Sequence, residues 1–250
     1  MEPLMTSHAA LSRMRLDDPA TTRACPESEI YESLLTLDGA TILELGCGKA
    51  DHTRRIASSH PTASIVAAEV DRLQHAANVA AAAPPNMRFA EFGAEAIPLD
   101  SATVDVVMMF KSLHHVPTAM LDDALGEIAR VLRPGGRAYI SEPIFAGPHN
   151  EMIRIFNDEQ AVRQAAFDAV RRAVDRGVFE LEAEVFFLVP VKYKDFADFA
   201  ARHFEVTHSV RRVTDAQRQA VERLFDSHRR DDGVKLTQRM RVDSLRKPGK

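Results

Sequence analysis

The chain has 250 residues, of which 45% are hydrophobic and 27% charged, with a net charge of −4. This is enough chain to bury a sizeable core, and the composition is that of an ordinary globular protein rather than a disordered or fibrous one. Residues 1–150 carry 12 Lys and Arg against 19 Asp and Glu, whereas residues 151–250 carry 20 against 17, so no concentrated basic face of the kind nucleic-acid binders show is expected.

From the start of the chain, "MEPLMTSHAALSRMRLDDP" lacks a basic patch followed by an apolar core, and no signal peptide is expected. No apolar stretch approaches the roughly 18 residues that span a bilayer, so no transmembrane helix and no membrane partner are expected. Cys25 and Cys47 lie far apart, form no disulfide framework and cannot supply a Cys-rich metal site. They suit a reducing compartment, with the cytoplasm as the expected location.

A helical pattern over 27–37 precedes the first strand candidate, 41–45. Further strand candidates are 64–69, 87–92, 104–110 and 137–142, with helices over 50–59, 71–82 and 118–132 between them. Near-continuous apolar runs alternating with helices argue for a mostly parallel sheet covered on both faces. The last of these helices is expected to stop at "RPGG", where Pro134 cannot continue it and the glycines allow the turn back.

After residue 143 the rhythm changes. Asn150 is expected to cap a long helix over 151–175 that stops at Gly177. The apolar run "VFELEAEVFFLVP" and a short helix in "YKDFADFAARHF" follow. A strand over 205–212, a helix over 215–230 capped by Thr214, and a final strand near 238–246 complete the chain. The doublets Arg211-Arg212 and Arg229-Arg230 sit in acid-bearing patterns and read as solvated surface rather than a phosphate track.

The stretch "TILELGCGKADHT", residues 41–53, is a strand ending in a glycine loop before a helix, where backbone N–H groups face outward. A dinucleotide fingerprint would place a third glycine where Asp51 stands, and Asp51 would repel a diphosphate, which disfavours NAD or FAD. Together with "IVAAEVDR", "AEAIPLDSATVDVVMMFKSLHHV" and "EIARVLRPGGRAYISEP", the stretch resembles the class I S-adenosylmethionine-dependent methyltransferases, and within them the small-molecule group. The resemblance covers about residues 27–142, and "QRMRVDSLRKP" is similar to the family's final strand. It implies a doubly wound, mostly parallel, seven-stranded Rossmann-like sheet with an antiparallel last strand. Residues 1–26 are then a lid segment, 27–142 and 204–250 the core, and 143–203 a helical insertion after the fifth strand that caps the pocket.

By that resemblance the cofactor is S-adenosyl-L-methionine, leaving as S-adenosyl-L-homocysteine. Gly46, Cys47 and Gly48 would run against its methionine and ribose parts, and Glu44 would meet the methionyl ammonium. Glu69 and Val70 would take the ribose end; a carboxylate is chemically suited to a vicinal diol. Gly93 stands where many relatives have an acid for the adenine amino group, which leaves Ala94 to offer its N–H and Glu95, a carbonyl or water to serve that amino group. Phe110 and Lys111 close the cofactor set.

The expected partner is a small-molecule methyl acceptor. His114, His115, Glu142, Phe145, His149 and Tyr193 are candidates for its pocket, and His115 or His114 for a catalytic base. Adjacent histidines are not metal-ligand geometry on their own, and no metal is expected. A base is needed only if the acceptor must lose a proton; alignment can otherwise drive the displacement. Three other readings stay open: transfer of another group from an S-adenosyl cofactor, a non-catalytic cofactor-binding partner, and RNA modification. The oligomeric state is also open, a homodimer included.

Overall fold

A computed structural model describes residues 14–204 and 212–249. Five strands run parallel: β1 (Thr41–Leu45), β2 (Ser64–Ala68), β3 (Met87–Ala90), β4 (Val104–Phe110) and β5 (Leu132–Pro143). The sheet order is β3-β2-β1-β4-β5-β8-β6, where β6 is Glu180–Tyr193 and β8, Gly233–Arg246, runs antiparallel to both neighbours. These are the seven strands and antiparallel last strand expected. The two-residue β7 (Arg229–Arg230) adds a hairpin on β8.

Alternation along β4 shows how the apolar runs are consumed. Val107 and Met109 join one buried cluster, with Leu125 and Ile128 of α4 (Leu121–Val131) and Phe167 and Val170 of α6 (Gln160–Asp175). Val106, Met108 and Phe110 join the other, with Ile30 and Tyr31 of α1 (Glu27–Leu34) and Ile56 of α2 (Asp51–Ser59). Successive side chains of a strand point to opposite faces, so a strand covered on both sides must be apolar throughout. A third cluster joins Tyr193 to Phe196 and Phe199 of α7 (Phe196–His203) and to Val221 and Phe225 of α8 (Asp215–Ser227).

Three expectations are corrected. "RPGG" lies inside β5, with a register shift against β4 between Val104 and Val106, so the proline and glycines form a bulge in a longer strand rather than a separate turn. The long helix over 151–175 is two helices, α5 (Pro148–Ile153) and α6, and Asn150 lies within α5. Pro148, at the first position of α5, starts that helix earlier, and Asp158, accepting from the Gln160 N–H at 3.0 Å, restarts the chain at α6. Helix α8 ends at Ser227, and Arg229 and Arg230 turn back as exposed strand. The strand expected over 205–212 lies outside the described residues but for Arg212.

Segment 143–203 supplies the three helices α5, α6 and α7 and an edge strand of the sheet, β6. The outer edge of β6 meets the N-terminal segment in a parallel bridge, Ala24 to Leu188, with Cys25 N–H donating to Leu188 O at 3.1 Å and Leu188 N–H to Arg23 O at 2.8 Å.

Thr214 caps α8 as expected, in a reciprocal box with Gln217. Thr214→Ala should lower stability by about 1 kcal/mol, read as a shift in the urea midpoint at unchanged slope.

Candidate active site

The site begins where β1 ends. Gly46 has φ +69, and a Cβ placed there would come 2.6 Å from Cβ of Ser112, so the position admits no side chain on either count. Ser112 is pinned in turn, its hydroxyl donating to Leu45 O at 2.7 Å. Glu69, just past β2 and 7% exposed, accepts from the N–H groups of Gly48, Val70 and Asp71 at 2.7, 2.8 and 2.9 Å. Three of its about four acceptor sites are thus filled, leaving Oε2 able to take one further hydroxyl. Val70 beside it is 61% exposed, an unburied apolar side chain at the rim. Asn78 of α3 (Arg72–Ala80) donates to Gly48 O at 2.7 Å and fixes the loop from below.

Glu44 is buried under this loop and accepts from the Thr53 hydroxyl of α2. Burial pushes its carboxyl up to about 8, against the lowering effect of Thr53, so a cation arriving there would find an acid ready to give up its proton. Burial also raises the Cys47 thiol, which makes it an inert side chain rather than a nucleophile. Across the cleft the His52 ring stacks on Phe110, centroids 4.2 Å apart.

Gly93 is not at positive φ; its α-carbon is covered by the Glu95 carboxylate, in space a Cβ would take. Room for Glu95, rather than backbone conformation, is what glycine provides there. The acid absent at position 93 is thereby returned to the same place by Glu95.

Beyond the end of β4 lies a cavity of about 410 Å³, walled by the strand ends and by α5, α6 and α7. His114 and His115 enter it on a tight turn, Leu113–His115. His114 Nδ1 bonds Glu142, and its Nε2 stands 3.7 Å from Glu159 Oε2. Burial opposes a charged imidazole, yet Glu142 and Glu159 outweigh it and raise His114; burial likewise opposes the charge on Glu142, yet His114 holds that carboxyl low. Arg163 binds Glu159 at 2.7 Å and Asn157 donates to its other oxygen at 2.7 Å. His114, His115 and Glu159 offer ligand-type atoms within 4.8 Å of one another, and within this group Glu159 is already paired with Arg163 and His114 with Glu142.

On the opposite wall the Tyr193 hydroxyl lies between two imidazoles, 2.9 Å from His149 Nε2 and 2.7 Å from His203 Nε2. One hydroxyl proton serves one ring, so the other ring must donate to the oxygen. Burial first, then neighbouring cations, push His149 down to about 4 and His203 to about 3, so both rings are neutral near pH 7.

The structure therefore brings Glu44, Gly46, Cys47, Gly48 and Glu69 together at one loop, and His114, His115, His149 and Tyr193 around one cavity. Glu142 lies beneath His114 rather than in the cavity wall. Phe145 is the correction: it turns to the guanidinium groups of Arg154 and Arg163, and its neighbours Ile144 and Ala146 line the cavity instead. Sequence reasoning missed Thr53, Asn78, Glu159, Arg163 and His203. Only Glu159 and Arg163, four apart on what reads as one helix face, carried a local signal.

The family model described as a methyltransferase domain matches residues 42–136, the span that contains the glycine loop, Glu69, Gly93 and the His114–His115 turn. Residues 42–136 of this chain are thus similar to a methyltransferase domain. It is 35% identical over 109 residues to an uncharacterized methyltransferase of Mycobacterium tuberculosis, covering 44% of this chain and 42% of that one. To an O-methyltransferase of Aspergillus nomiae it is 33% identical over 141 residues, covering 52% and 59%. The chain thus spans about half the length of these curated relatives. Among solved structures the YcgJ protein of Bacillus subtilis superposes with a TM-score of 0.60 at 14% identity, covering 89% of this chain and 98% of that one, which shows the shared fold.

The buried imidazoles give the chain a definite acid response. His149 is depressed from 6.5 to about 4, so the unfolded chain takes this proton first. The stability from burying the neutral ring is present above about pH 6.5 and is lost as pH falls toward about 4. His149→Gln should flatten the decline in urea midpoint between those values, and the His149 ring protons of the parent should titrate by NMR near 4.

Proposed function

We propose that this protein transfers the methyl group of S-adenosylmethionine to an O, N or S atom of a small molecule held in the 410 Å³ cavity. One observation carries this reading: a glycine loop with a buried acid at each of its two neighbouring strands packs, through Gly46 on Ser112, against the strand end whose Lys111 and His114 line the cavity. The residues present suit the cofactor. Glu44 is an acid buried where a cation would be matched, Glu69 keeps an acceptor site for a hydroxyl, Gly48 leaves open space above the loop, and Glu95 folds over Gly93. The cofactor, when bound, supplies an electrophilic methyl group on sulfur. The chain's own contribution is to hold the acceptor in line, exclude water, and take up a proton where the acceptor has one to lose.

The histidines divide by charge. His114, flanked by two carboxylates that favour its charged form, is a poor proton acceptor and serves to position Glu142 and the turn after β4. His149 and His203 are neutral and bonded to Tyr193, and His115 is exposed at the cavity mouth. An O-methyltransferase among the relatives supports an oxygen acceptor, and the cavity's size supports a small organic molecule. The product's mass separates methyl transfer from transfer of another group by the same fold.

Calorimetry should show S-adenosylhomocysteine bound at micromolar levels and NAD ignored. Glu69→Ala should weaken the former by roughly ten- to a hundred-fold while the fold stays intact, as expected for loss of a charged acceptor. NAD bound more tightly than S-adenosylhomocysteine would sink the reading.

Alignment should dominate the chemistry. Once an acceptor is known, His115→Gln should leave the rate from the bound complex within tenfold. A loss of about a thousand-fold, with a pH limb that vanishes alongside it, would make His115 a general base, since such a base contributes about 10²–10⁴-fold.

A further inference from the structure

The cations in the cavity wall are matched by acids, with one exception. Arg163 pairs with Glu159 at 2.7 Å and Arg239 with Asp17 at 2.7 Å. Arg202 grips both oxygens of Asp198 at 2.7 Å each, and His114 is bonded to Glu142. Lys111 stands apart. It lines the same cavity, half-buried, and among the described residues its ammonium has neither an ion-pair nor a hydrogen-bond partner. The wall therefore carries, at the end of β4, one ammonium that no acid grips: the buried Glu27 carboxyl feels its charge but forms no ion pair with it.

Its backbone is a second, independent sign. Lys111 has φ +56, a left-handed conformation that a lysine adopts at a cost, and its N–H is tied to Ser141 O at 2.7 Å. A non-glycine residue held in this region is over-determined by its surroundings, and such residues cluster at ligand sites. The placement also counts. The Lys111 charge bears on His52 in the cofactor cleft and on His149 and His203 in the cavity, so it stands between the two. His52, His149 and His203, which the Lys111 charge helps to push down, are neutral and bring no competing charge.

We infer that Lys111 is the anchor for a carboxylate on the methyl acceptor, the single unmatched ammonium selecting a monoanion. This rests on the cavity being the acceptor site. A flexible lysine stem lets the ammonium follow the carboxylate, and a neutral amide of the same shape leaves the charge unmet.

Benzoate and benzamide are the probes, titrated by ligand-observed NMR against the full chain with and without S-adenosylhomocysteine. The parent and Lys111→Arg should bind benzoate at least tenfold more tightly than benzamide. Lys111→Met and Lys111→Asn should lose that preference; asparagine tolerates the left-handed backbone, so one variant escapes any folding penalty of the other. The inference moves Lys111 out of the cofactor set in which the sequence resemblance put it, so both variants should bind S-adenosylhomocysteine and 5′-methylthioadenosine as the parent does. Equal binding of the two probes by the parent, or a preference that survives in both neutral variants, overturns the inference. So does a loss of S-adenosylhomocysteine affinity with methylthioadenosine spared, since the anion held by Lys111 would then be the cofactor's own carboxylate. A chain that selects benzoate through Lys111 yet binds no S-adenosylhomocysteine would overturn the proposed function and leave the anchor standing.

Discussion

Between the end of β1 and the turn after β4 there is no room for a single methyl group. Gly46 lies against Ser112, and Ser112 is bonded back to Leu45, so two neighbouring strands are locked together at their carboxyl ends. Much of the site follows from this closeness. With Ser112 fixed, Lys111 must turn through the left-handed region, and the Leu113–His115 turn then delivers His114 onto Glu142. Close packing passes such a constraint along the chain instead of absorbing it. The glycine loop and the histidine turn, almost seventy residues apart, are one mechanical unit.

The two halves of the site manage charge differently. The glycine-loop half gathers acids, Glu44 and Glu69, and satisfies them with a hydroxyl and backbone amides, which bring no formal charge of their own. The cavity half is built of matched pairs and neutral rings, with Glu142 and Glu159 around His114 and the Tyr193 hydroxyl between two imidazoles. A buried charge without a partner is expensive. Pairing leaves each wall rigid and nearly neutral, so a small imbalance suffices to select a ligand.

Much of this was readable in the residues, and the reason is periodicity and local chemistry. Runs such as "VDVVMMF" can only be strands buried on two faces, and Thr214 with Gln217 three residues on can only be a helix start. The glycine loop announced itself because two glycines in three residues need a backbone reason. What escaped was set by distance. Glu159 reaches His114 from forty-five residues away because the chain breaks between α5 and α6, and the periodicity across 151–175 ran straight over that break. Glu95 covering Gly93 was invisible for the opposite reason: two residues apart, the pair depends on a side chain folding back, which no pattern encodes.

The outer edge of β6 has a consequence for how this chain keeps to itself. Thirteen of its fourteen residues pair with β8 on one side, and on the other, among the described residues, a brief backbone contact at Leu188 engages the segment around Ala24. A long bare edge is a template on which another molecule's strand can add. Here Pro190 removes a donor two residues past the bridge, and Glu180, Glu182, Glu184 and Lys192 scatter charge along the rest. Segment 23–25 and that proline divide the edge into lengths too short to template a stable intermolecular ladder. The stretch that leads into α1 thus acts as a guard against edge-to-edge aggregation, quite apart from anything it does over the cavity.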